Sequence, residues 1–413
     1  MSTIERVELD AVIFGGGAAG LWSLDALHRA GYRVLLLEAG DLGSGQTIAS
    51  QGIIHGGLKY TLTGLLTPSA RAIRDMPGRW RRCLAGEDEP RLSRTRLRGH
   101  YCHLWRSQSF RSRLAMLGAR AGLQVAPVPL DPDERPAVLR RCPGTVARLD
   151  EQVIEPASFI EDLANPHRER ILQIDCANGL EFLTTGPGEV ELVRLINPDS
   201  GSAVDLAPRR VILLAGGGNA SLREQLGLSA ERAQSRPLHM ILARGTLPTL
   251  NAHCVDGTST RLTITTTRDA RGRDVWQIGG RIAERGVKLD PDRLVHEAVR
   301  EIRATLPEVD LTGTQWTTYR VDRAESAAQG VRPDSIGVVE EGNVLTGWPT
   351  KLALVPMLAD EVLRVTRAGL SADHEQDAAS IDSALRDWPR PRVALPPWET
   401  ISTWITVDSA EPV

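Results

Sequence analysis

The sequence has no apolar run long enough to cross a bilayer, and residues 1–10 hold no apolar core of a secretion signal. Five cysteines among 413 residues, odd in number and widely scattered, argue against a disulfide framework. Lysine is scarce too, since only Lys59, Lys288 and Lys351 stand among the 49 basic residues. These absences predict a cytoplasmic protein with reduced thiols.

The overall composition predicts a globular protein with more than one domain. A net charge of −3 with 41% hydrophobic residues indicates neither a disordered chain nor a general nucleic-acid-binding protein. A chain of 413 residues is expected to form two or three cores. Residues 68–113 carry 12 arginines against four acids, which we interpret as a solvated helical surface. The alternative is peripheral docking on an anionic membrane surface.

The stretch from Asp10 to Gly20 predicts a dinucleotide site, because a short apolar strand (11–14) is followed by Gly15, Gly17 and Gly20 and then a helix at 21–29. Gly15 allows a tight turn, Gly17 lets a pyrophosphate approach the backbone, and Gly20 lets the helix pack on the strand. The phosphates then lie at the helix N-terminus. A second apolar run ends in Glu38, at a distance suited to a ribose hydroxyl.

Residues 40–60 are rich in glycine and serine, where an NAD-binding domain would continue with a helix and a third strand. A loop this long inside a compact domain is usually functional. Its small residues permit close backbone approach to a large flat ligand. We therefore predict FAD rather than NAD.

The later segments predict a discontinuous α/β fold. Residues 210–219 indicate a buried strand that returns to the dinucleotide, and residues 238–282 indicate an antiparallel sheet. Helices are expected at 290–306 and 352–365, and Trp388, Trp398 and Trp404 indicate that the tail packs partly on the body. We predict a Rossmann-like FAD-binding domain (1–75, 150–230 and 331–370), an antiparallel sheet-and-helix substrate domain (76–149 and 231–330) and a C-terminal tail (371–413).

These motifs, in this order, resemble the FAD-dependent D-amino-acid-oxidase superfamily over residues 8–365. Residues 50–60, SQGIIHGGLKY, are similar to the branch that contains FAD-dependent glycerol-3-phosphate dehydrogenases and L-2-hydroxyglutarate dehydrogenases. The motifs and the resemblance together imply the following FAD-binding residues: Gly15, Gly17, Ala18, Ala19, Gly20, Glu38, Ala39, Ser44, Gly45, Gln46, Thr47, Ser50, Gln51, Gly52, Ala215, Gly216, Gly217, Gly347, Thr350 and Lys351.

The resemblance places His55 near the flavin ring, where a base of near-neutral pKa is useful for taking a hydroxyl proton. His55 could instead position FAD or carry it covalently. Charged and polar partners for an anionic substrate are implied at Lys59, Tyr60, Arg320 and Lys351, with Arg323 and Arg332 as rivals for the arginine role. The cluster of His100, Cys102 and His103 is interpreted as packing, and no metal site is predicted.

We therefore expect an enzyme that oxidises a small anionic hydroxy compound by hydride transfer to FAD. The alternatives are an amine or amino-acid oxidase on the same scaffold and a non-catalytic FAD-binding protein. The expected partners are the anionic substrate and an electron acceptor, which could be oxygen, a quinone or another redox protein. No nucleic-acid partner and at most peripheral membrane contact are expected.

Overall fold

The computed structural model describes residues 4–56, 73, 75–106, 128–256, 259–372 and 385–407. Its strands are β1 (Glu5–Phe14), β2 (Val34–Glu38), β3 (Leu97–Gly99), β4 (Cys102–Arg106), β5 (Val128–Pro129), β6 (Val146–Leu149), β7 (Val153–Ile154), β8 (Ile171–Gln173), β9 (Leu180–Gly186), β10 (Glu189–Ile196), β11 (Ala203–Leu213), β12 (Ala233–Gly245), β13 (Ala252–Asp256), β14 (Ser259–Arg268), β15 (Asp274–Gly279), β16 (Gln315–Ser326), β17 (Gly337–Glu341), β18 (Val344–Trp348) and β19 (Ile405–Thr406). Its α-helices are α1 (Ala18–Arg29), α2 (Met76–Ala85), α3 (Pro156–Ala164), α4 (Asn219–Gln225), α5 (Arg281–Arg285), α6 (Pro291–Thr305), α7 (Val355–Gly369) and α8 (Pro397–Thr400).

The first sheet has the strand order β17, β18, β11, β1, β2 and β8, with the hairpin β9–β10 attached through β11. From β18 to β8 the neighbouring strands are parallel, and Ile13 stands between Ile212 on one side and Leu36 on the other. Strands β1 and β2 are buried along most of their length, as parallel strands covered on both faces must be. All strands of this sheet fall within residues 1–75, 150–230 and 331–370.

The second sheet has the order β19, β16, β12, β15, β14, β13, β4, β6 and β5. Neighbouring strands are antiparallel except β4 and β13, which pair in parallel. Helix α6 covers this sheet with the apolar face that its spacing predicts, which includes Leu294, Val295, Ala298 and Ile302. The α/β class with a Rossmann-like parallel sheet and a largely antiparallel second sheet is confirmed.

One face of the first sheet is covered by α1 and α7, and α2 packs at the same core. Trp80 of α2 is fully buried, lies 4.9 Å from the Trp22 ring and 5.2 Å from the Phe159 ring, and donates from its indole nitrogen to the carbonyl of Ala353. Burying a large apolar side chain contributes about 1.5–3 kcal/mol. Helix α2 therefore packs in the core of the first sheet, whereas the sequence predicts that the substrate domain begins at residue 76.

Residues 385–407 form a strap that touches both sheets. The indole of Trp388 donates to the carbonyl of Gln173 at 2.8 Å, and Val393 forms a parallel bridge with Leu42. Farther along, Ile405 pairs with Trp316 of the second sheet. The tryptophans Trp388 and Trp398 are only 4% and 3% exposed. This part of the tail therefore connects the two sheets.

Two further features follow from the described chain. All five cysteines lie within it and are free thiols. Within the same residues, each helix is too short or too polar to pass through a lipid bilayer.

Candidate active site

A cavity of about 850 Å³, here called the larger cavity, lies where the parallel strands of the first sheet end. Gly15 follows β1, Glu38 ends β2, Ala215 follows β11, and Gly347 lies near the end of β18, and all four line the cavity. The carboxyl ends of parallel strands share one edge of a sheet, which is where such sheets bind ligands. Four segments that are separate in the chain therefore meet at one site.

Two glycines of this site leave no room for a side chain. Gly15 has φ +109°, and a Cβ there would lie 2.5 Å from the Cα of Ala215. A Cβ at Gly20 would lie 1.8 Å from the carbonyl oxygen of Gly15. Gly20 therefore serves the packing of α1 on β1, while Gly15 and Gly17 face the cavity.

Helix α1 presents a free N-terminus to the larger cavity. Its N-cap is Gly17, which offers no side-chain hydrogen bond, and its first turn holds no acidic residue. The amide of Ala18 donates to Oγ1 of Thr47 at 3.3 Å, so this loop residue closes one side. An uncapped helix N-terminus with a glycine approach suits the negative charge of a pyrophosphate.

Glu38 is fixed at the wall of the larger cavity. One carboxylate oxygen accepts from the amide of Gly16 and the other accepts from the amide of Gly40 at 2.8 Å. Two backbone donors thus orient the carboxylate, and acceptor capacity remains for ribose hydroxyls.

The long loop is attached to the second sheet by partly buried hydrogen bonds. The side-chain amide nitrogen of Gln51, Nε2, donates to the backbone carbonyls of Thr263 and Gln277 at 2.9 and 2.8 Å. The Tyr319 hydroxyl donates to the carbonyl of Ala49 at 2.8 Å, and burial raises the pKa of Tyr319 above its usual range. The loop therefore lies between the two sheets.

All but one of the predicted cofactor residues line one of two cavities, and the exception is Gly20, which lines neither. Those that line the larger cavity are Gly15, Gly17, Ala18, Ala19, Glu38, Ala39, Ser44, Gly45, Gln46, Thr47, Ser50, Ala215, Gly216, Gly217 and Gly347. Four others line a neighbouring smaller cavity of about 200 Å³, namely Gln51, Gly52, Thr350 and Lys351. The two cavities share wall residues of the loop, of β16 and of the turn before α7, which are Gln46, Ala49, Ser50, Val321 and Leu352.

The smaller cavity is lined by more positive than negative side chains. Arg323, Arg332 and Lys351 line it, together with the acid Glu284. The guanidinium of Arg323 lies 3.2 Å from the Glu284 carboxylate, whose side chain is 52% exposed. Burial, followed by the nearby charge of Arg236, lowers the pKa of Arg323, and Arg332 acts in the same direction. Crowded, partly desolvated cations of this kind favour an anionic ligand.

His55 lines the smaller cavity and belongs to a buried polar cluster. Its Nδ1 lies 3.4 Å from Oε2 of Glu151, and Nε2 of His253 lies 3.3 Å from the same oxygen. The other carboxylate oxygen accepts from the amide of Gly56 at 2.8 Å. Burial by itself raises the pKa of Glu151, but the two facing imidazoles bring it below its usual range. Glu151 is thus a buried carboxylate held by a backbone donor and two facing imidazoles.

Of the remaining predicted catalytic residues, the structure describes Arg320 alone. The Arg320 guanidinium donates to the carbonyls of Val287 and Leu289 at 3.1 and 3.3 Å, and Arg320 borders the larger cavity instead of the smaller one. Side chains alternate along a strand, so Arg320 and Arg323 point to opposite faces of β16. Lys59 and Tyr60 lie outside the described residues.

Sequence reasoning missed several residues of the site. Neither Glu151 nor His253 belongs to a recognisable sequence motif. His253 is brought to His55 by the pairing of β13 with β14, and Glu151 by the turn after β6. The strap was expected to pack, but nothing indicated that Leu395, Pro397, Thr400 and Ile401 would line the larger cavity. A tail rich in tryptophan and proline was the only available signal.

A strand, glycine turn and uncapped helix beside a long cavity define a dinucleotide-binding protein, and the chain belongs to the FAD dependent oxidoreductase family, whose model matches residues 10–355. The predictions of the family, of FAD as cofactor and of an oxidoreductase are thereby confirmed. The larger cavity fits this cofactor, since its backbone turn suits a pyrophosphate and Glu38 suits a ribose.

One relative supports the same family, and two more distant structures share the fold. The chain is 39% identical over 406 residues to the probable FAD-dependent oxidoreductase PA4991 from Pseudomonas aeruginosa, covering 96% of this chain and 98% of that protein. The crystal structure of that protein superposes with a TM-score of 0.80 at 37% identity, covering 96% of this chain and 99% of that chain. Glycine oxidase from Geobacillus kaustophilus has a TM-score of 0.60 at 15% identity, covering 91% and 98%. FAD-bound L-alpha-glycerophosphate oxidase from Mycoplasma pneumoniae has a TM-score of 0.57 at 14% identity, covering 87% and 95%. The last two show the fold alone.

Proposed function

We propose that the protein oxidises a small anionic hydroxy compound, either a 2-hydroxy acid or a phosphate ester like glycerol-3-phosphate. FAD supplies the hydride acceptor when bound. The observation that carries the proposal is the smaller cavity, which adjoins the larger one and is lined by three cations and by His55.

The cations account for the anionic part of the substrate. Arg323 and Arg332 come from β16 and the segment before β17, and Lys351 precedes α7, so three separate segments direct positive charge at one volume. Each charge-assisted hydrogen bond contributes about 1.5–3 kcal/mol, or roughly one to two decades of affinity. Two such contacts select a carboxylate or phosphate over a neutral compound. Lys351 is only 4% exposed, which strengthens its field inside the cavity.

His55 accounts for the hydroxyl proton. Oxidation of an alcohol removes a hydride from carbon and a proton from oxygen, and the proton needs an acceptor within the cavity. His55 is the imidazole that lines the smaller cavity, and its Nδ1 faces a carboxylate. In this proposal His55 takes the proton while the cations hold the anionic group and fix the carbon that is oxidised.

An amino-acid oxidase is the second candidate, because Glu284 lines the same cavity and could face an ammonium group. Glycine oxidase shares the fold. The described lining, however, holds three cations and the single acid Glu284, and this excess of positive charge disfavours an ammonium group. A neutral amine can also lose hydride without a strong base. Oxidation of an amine would therefore give the His55–Glu151 cluster no role in the reaction.

Anaerobic reduction tests the proposal. The FAD-loaded protein is mixed with a panel of 2-hydroxy acids, glycerol-3-phosphate, neutral alcohols and amino acids, and the visible flavin absorbance is followed. We expect rapid bleaching by one anionic hydroxy compound and at least tenfold slower bleaching by its neutral analogue. Bleaching by amino acids alone would replace the proposal with the second candidate. Reoxidation of the reduced protein by oxygen, by a quinone or by a redox protein then identifies the electron acceptor.

A further inference from the structure

Glu151 stands at the centre of a histidine–carboxylate–histidine cluster behind the smaller cavity. It is 2% exposed, and one of its oxygens faces both Nδ1 of His55 at 3.4 Å and Nε2 of His253 at 3.3 Å. His253 is 2% exposed, whereas the His55 side chain is 22% exposed and lines the cavity. The cluster therefore has one member at the cavity and two members buried behind it.

The surroundings keep Glu151 ionised. The amide of Gly56 donates to Oε1, and imidazole nitrogens face Oε2. The thiol of Cys102 also lies near, but burial raises its pKa, so it stays neutral. A buried carboxylate is costly unless donors surround it, and this one has a donor or an imidazole facing each oxygen. Among the described residues, Arg323, Arg332, Lys351 and Glu284 are the charged groups that share the cavity with His55.

An ionised Glu151 sets the tautomer of His55. A carboxylate accepts hydrogen bonds and cannot donate, so the facing Nδ1 of His55 carries the proton. In the neutral ring Nε2 is then the acceptor nitrogen. His253 is set in the same way, because its Nε2–H faces Glu151 while its Nδ1 lies 2.9 Å from the hydroxyl of Thr263. Thr263 can donate its hydroxyl hydrogen to that nitrogen.

We propose that Glu151 is a positioning residue that holds His55 as the Nδ1–H tautomer and stabilises the imidazolium formed when His55 takes the substrate proton. The inference rests on the proposed function, since it needs a hydroxyl proton to remove. When the O–H bond breaks, its proton passes to Nε2 of His55. The electron pair left on oxygen would form the carbonyl, and FAD held in the larger cavity would supply the acceptor for the hydride lost from carbon. His253 supplies a second donor, which helps to keep the carboxylate oriented.

The test is the pH dependence of anaerobic reduction in FAD-loaded Glu151→Gln. The reduction rate rises with pH as His55 becomes neutral, and a neighbouring carboxylate favours the protonated ring. Without that charge the midpoint of the rising limb moves to lower pH by about one unit. The limiting rate falls about 10- to 100-fold, while FAD content and KM stay within about threefold of the parent.

A neighbouring carboxylate serves as the matched control. Asp150 precedes Glu151, is half exposed and pairs with Arg81, so Asp150→Asn makes the same chemical change outside the cluster. It should leave both rate and midpoint unchanged. Glu151→Asp covers the case in which Glu151→Gln does not fold. Glu151→Asp keeps the charge but shortens the side chain by one methylene. The midpoint of its pH profile should therefore match the parent's, and its limiting rate should fall by less than that of Glu151→Gln.

Several results would overturn the inference. Parent-like rate and midpoint in Glu151→Gln, or a parent-like rate in Glu151→Asp, would remove the role of Glu151 while the proposed function stands. Reduction of the parent by amines alone would overturn both. Stoichiometric metal in the purified protein, lost in His253→Gln, would show that the three side chains are ligands, because a metal-bound Nδ1 cannot donate to Glu151.

Discussion

The larger and smaller cavities share wall residues but differ in the chemical groups that line the rest of each wall. Where the larger cavity meets the glycine turn, its wall is formed by backbone, small residues and a helix N-terminus, with Glu38 as a fixed acid. The smaller cavity is shaped by long charged side chains from separate segments, including Arg323 and Lys351. A site formed by the backbone tolerates few substitutions, because a change in backbone shape removes the contacts with the ligand. A side-chain site can change its ligand without changing the fold.

The largest effect is expected from Gly20→Ala. Its added methyl group would lie 1.8 Å from the Gly15 carbonyl, so α1 must shift away from β1. Such overpacking costs about 3 kcal/mol, and the displaced turn should lose FAD almost completely. Flavin content and thermal unfolding measure this. Gly186→Ala is the matched control, because a Cβ there meets nothing within 4 Å. Full flavin content in Gly20→Ala would show that the turn is more adaptable than its geometry indicates.

A second experiment separates the two arginines of β16. Arg323→Met should raise KM for the anionic substrate by roughly 10- to 100-fold, because one charge-assisted contact is lost. Flavin content and the limiting reduction rate should change by less than about threefold. Arg320→Met removes a guanidinium bonded to Val287 and Leu289 and should leave KM unchanged. The reverse ranking of the two variants would place the anion site at Arg320.

A smaller effect is expected from inorganic anions. Sulfate or phosphate should compete with the substrate for the cations of the smaller cavity with a Kd of about 1 mM, which corresponds to about 4 kcal/mol. KM should rise with sulfate concentration at constant ionic strength, and the limiting rate should not. FAD fluorescence should report no loss of cofactor. Sulfate that displaces FAD instead would mean that the helix N-terminus of the larger cavity binds it.

The smallest effect on either cavity is expected from Asp25→Asn. Asp25 lies 3.1 Å from Nε2 of His167 and 2.7 Å from Arg29. Burial alone raises the pKa of Asp25, but His167 and Arg29 bring it below its usual range. A lowered native pKa means that this stabilisation is present above about pH 4 and is lost as pH falls below it. The variant should unfold about 2 kcal/mol more easily at neutral pH, and less so in acid.

Asp25 also serves as the structural counterpart of Glu151. Both are buried carboxylates facing a histidine, but Asp25 lines neither cavity. Asp25→Asn should therefore leave the pH profile of flavin reduction unchanged. Urea unfolding at several pH values and anaerobic reduction together check this pair of expectations. A shifted reduction profile in Asp25→Asn would mean that a general change in stability, not the histidine–carboxylate contact, moves the profile.

The sequence allowed the fold and the larger cavity to be predicted because their signals are local. The spacing of Gly15, Gly17 and Gly20 and the acid at Glu38 can be interpreted within one βαβ unit. The helix at α6 followed from apolar periodicity alone. Such patterns need no knowledge of distant segments.

The smaller cavity could not be predicted in the same detail, because its residues meet only through tertiary structure. Arg320 and Arg323 differ by which face of β16 they occupy, and that depends on the register of β16 with β12. Glu151 and His253 belong to separate segments of the chain, and no spacing relates either of them to His55. Substrate chemistry is therefore less accessible to sequence reasoning than cofactor chemistry.

Because the strap lies late in the chain, the two parts of the wall of the larger cavity are synthesised at different times. The glycine turn of the larger cavity is among the first described residues to be synthesised, whereas Pro397 and Ile401, on the cavity wall, are among the last. A nascent chain can thus present the pyrophosphate turn long before it can enclose a cofactor. The wall of the larger cavity is therefore completed only when the strap, a late part of the chain, has reached both sheets.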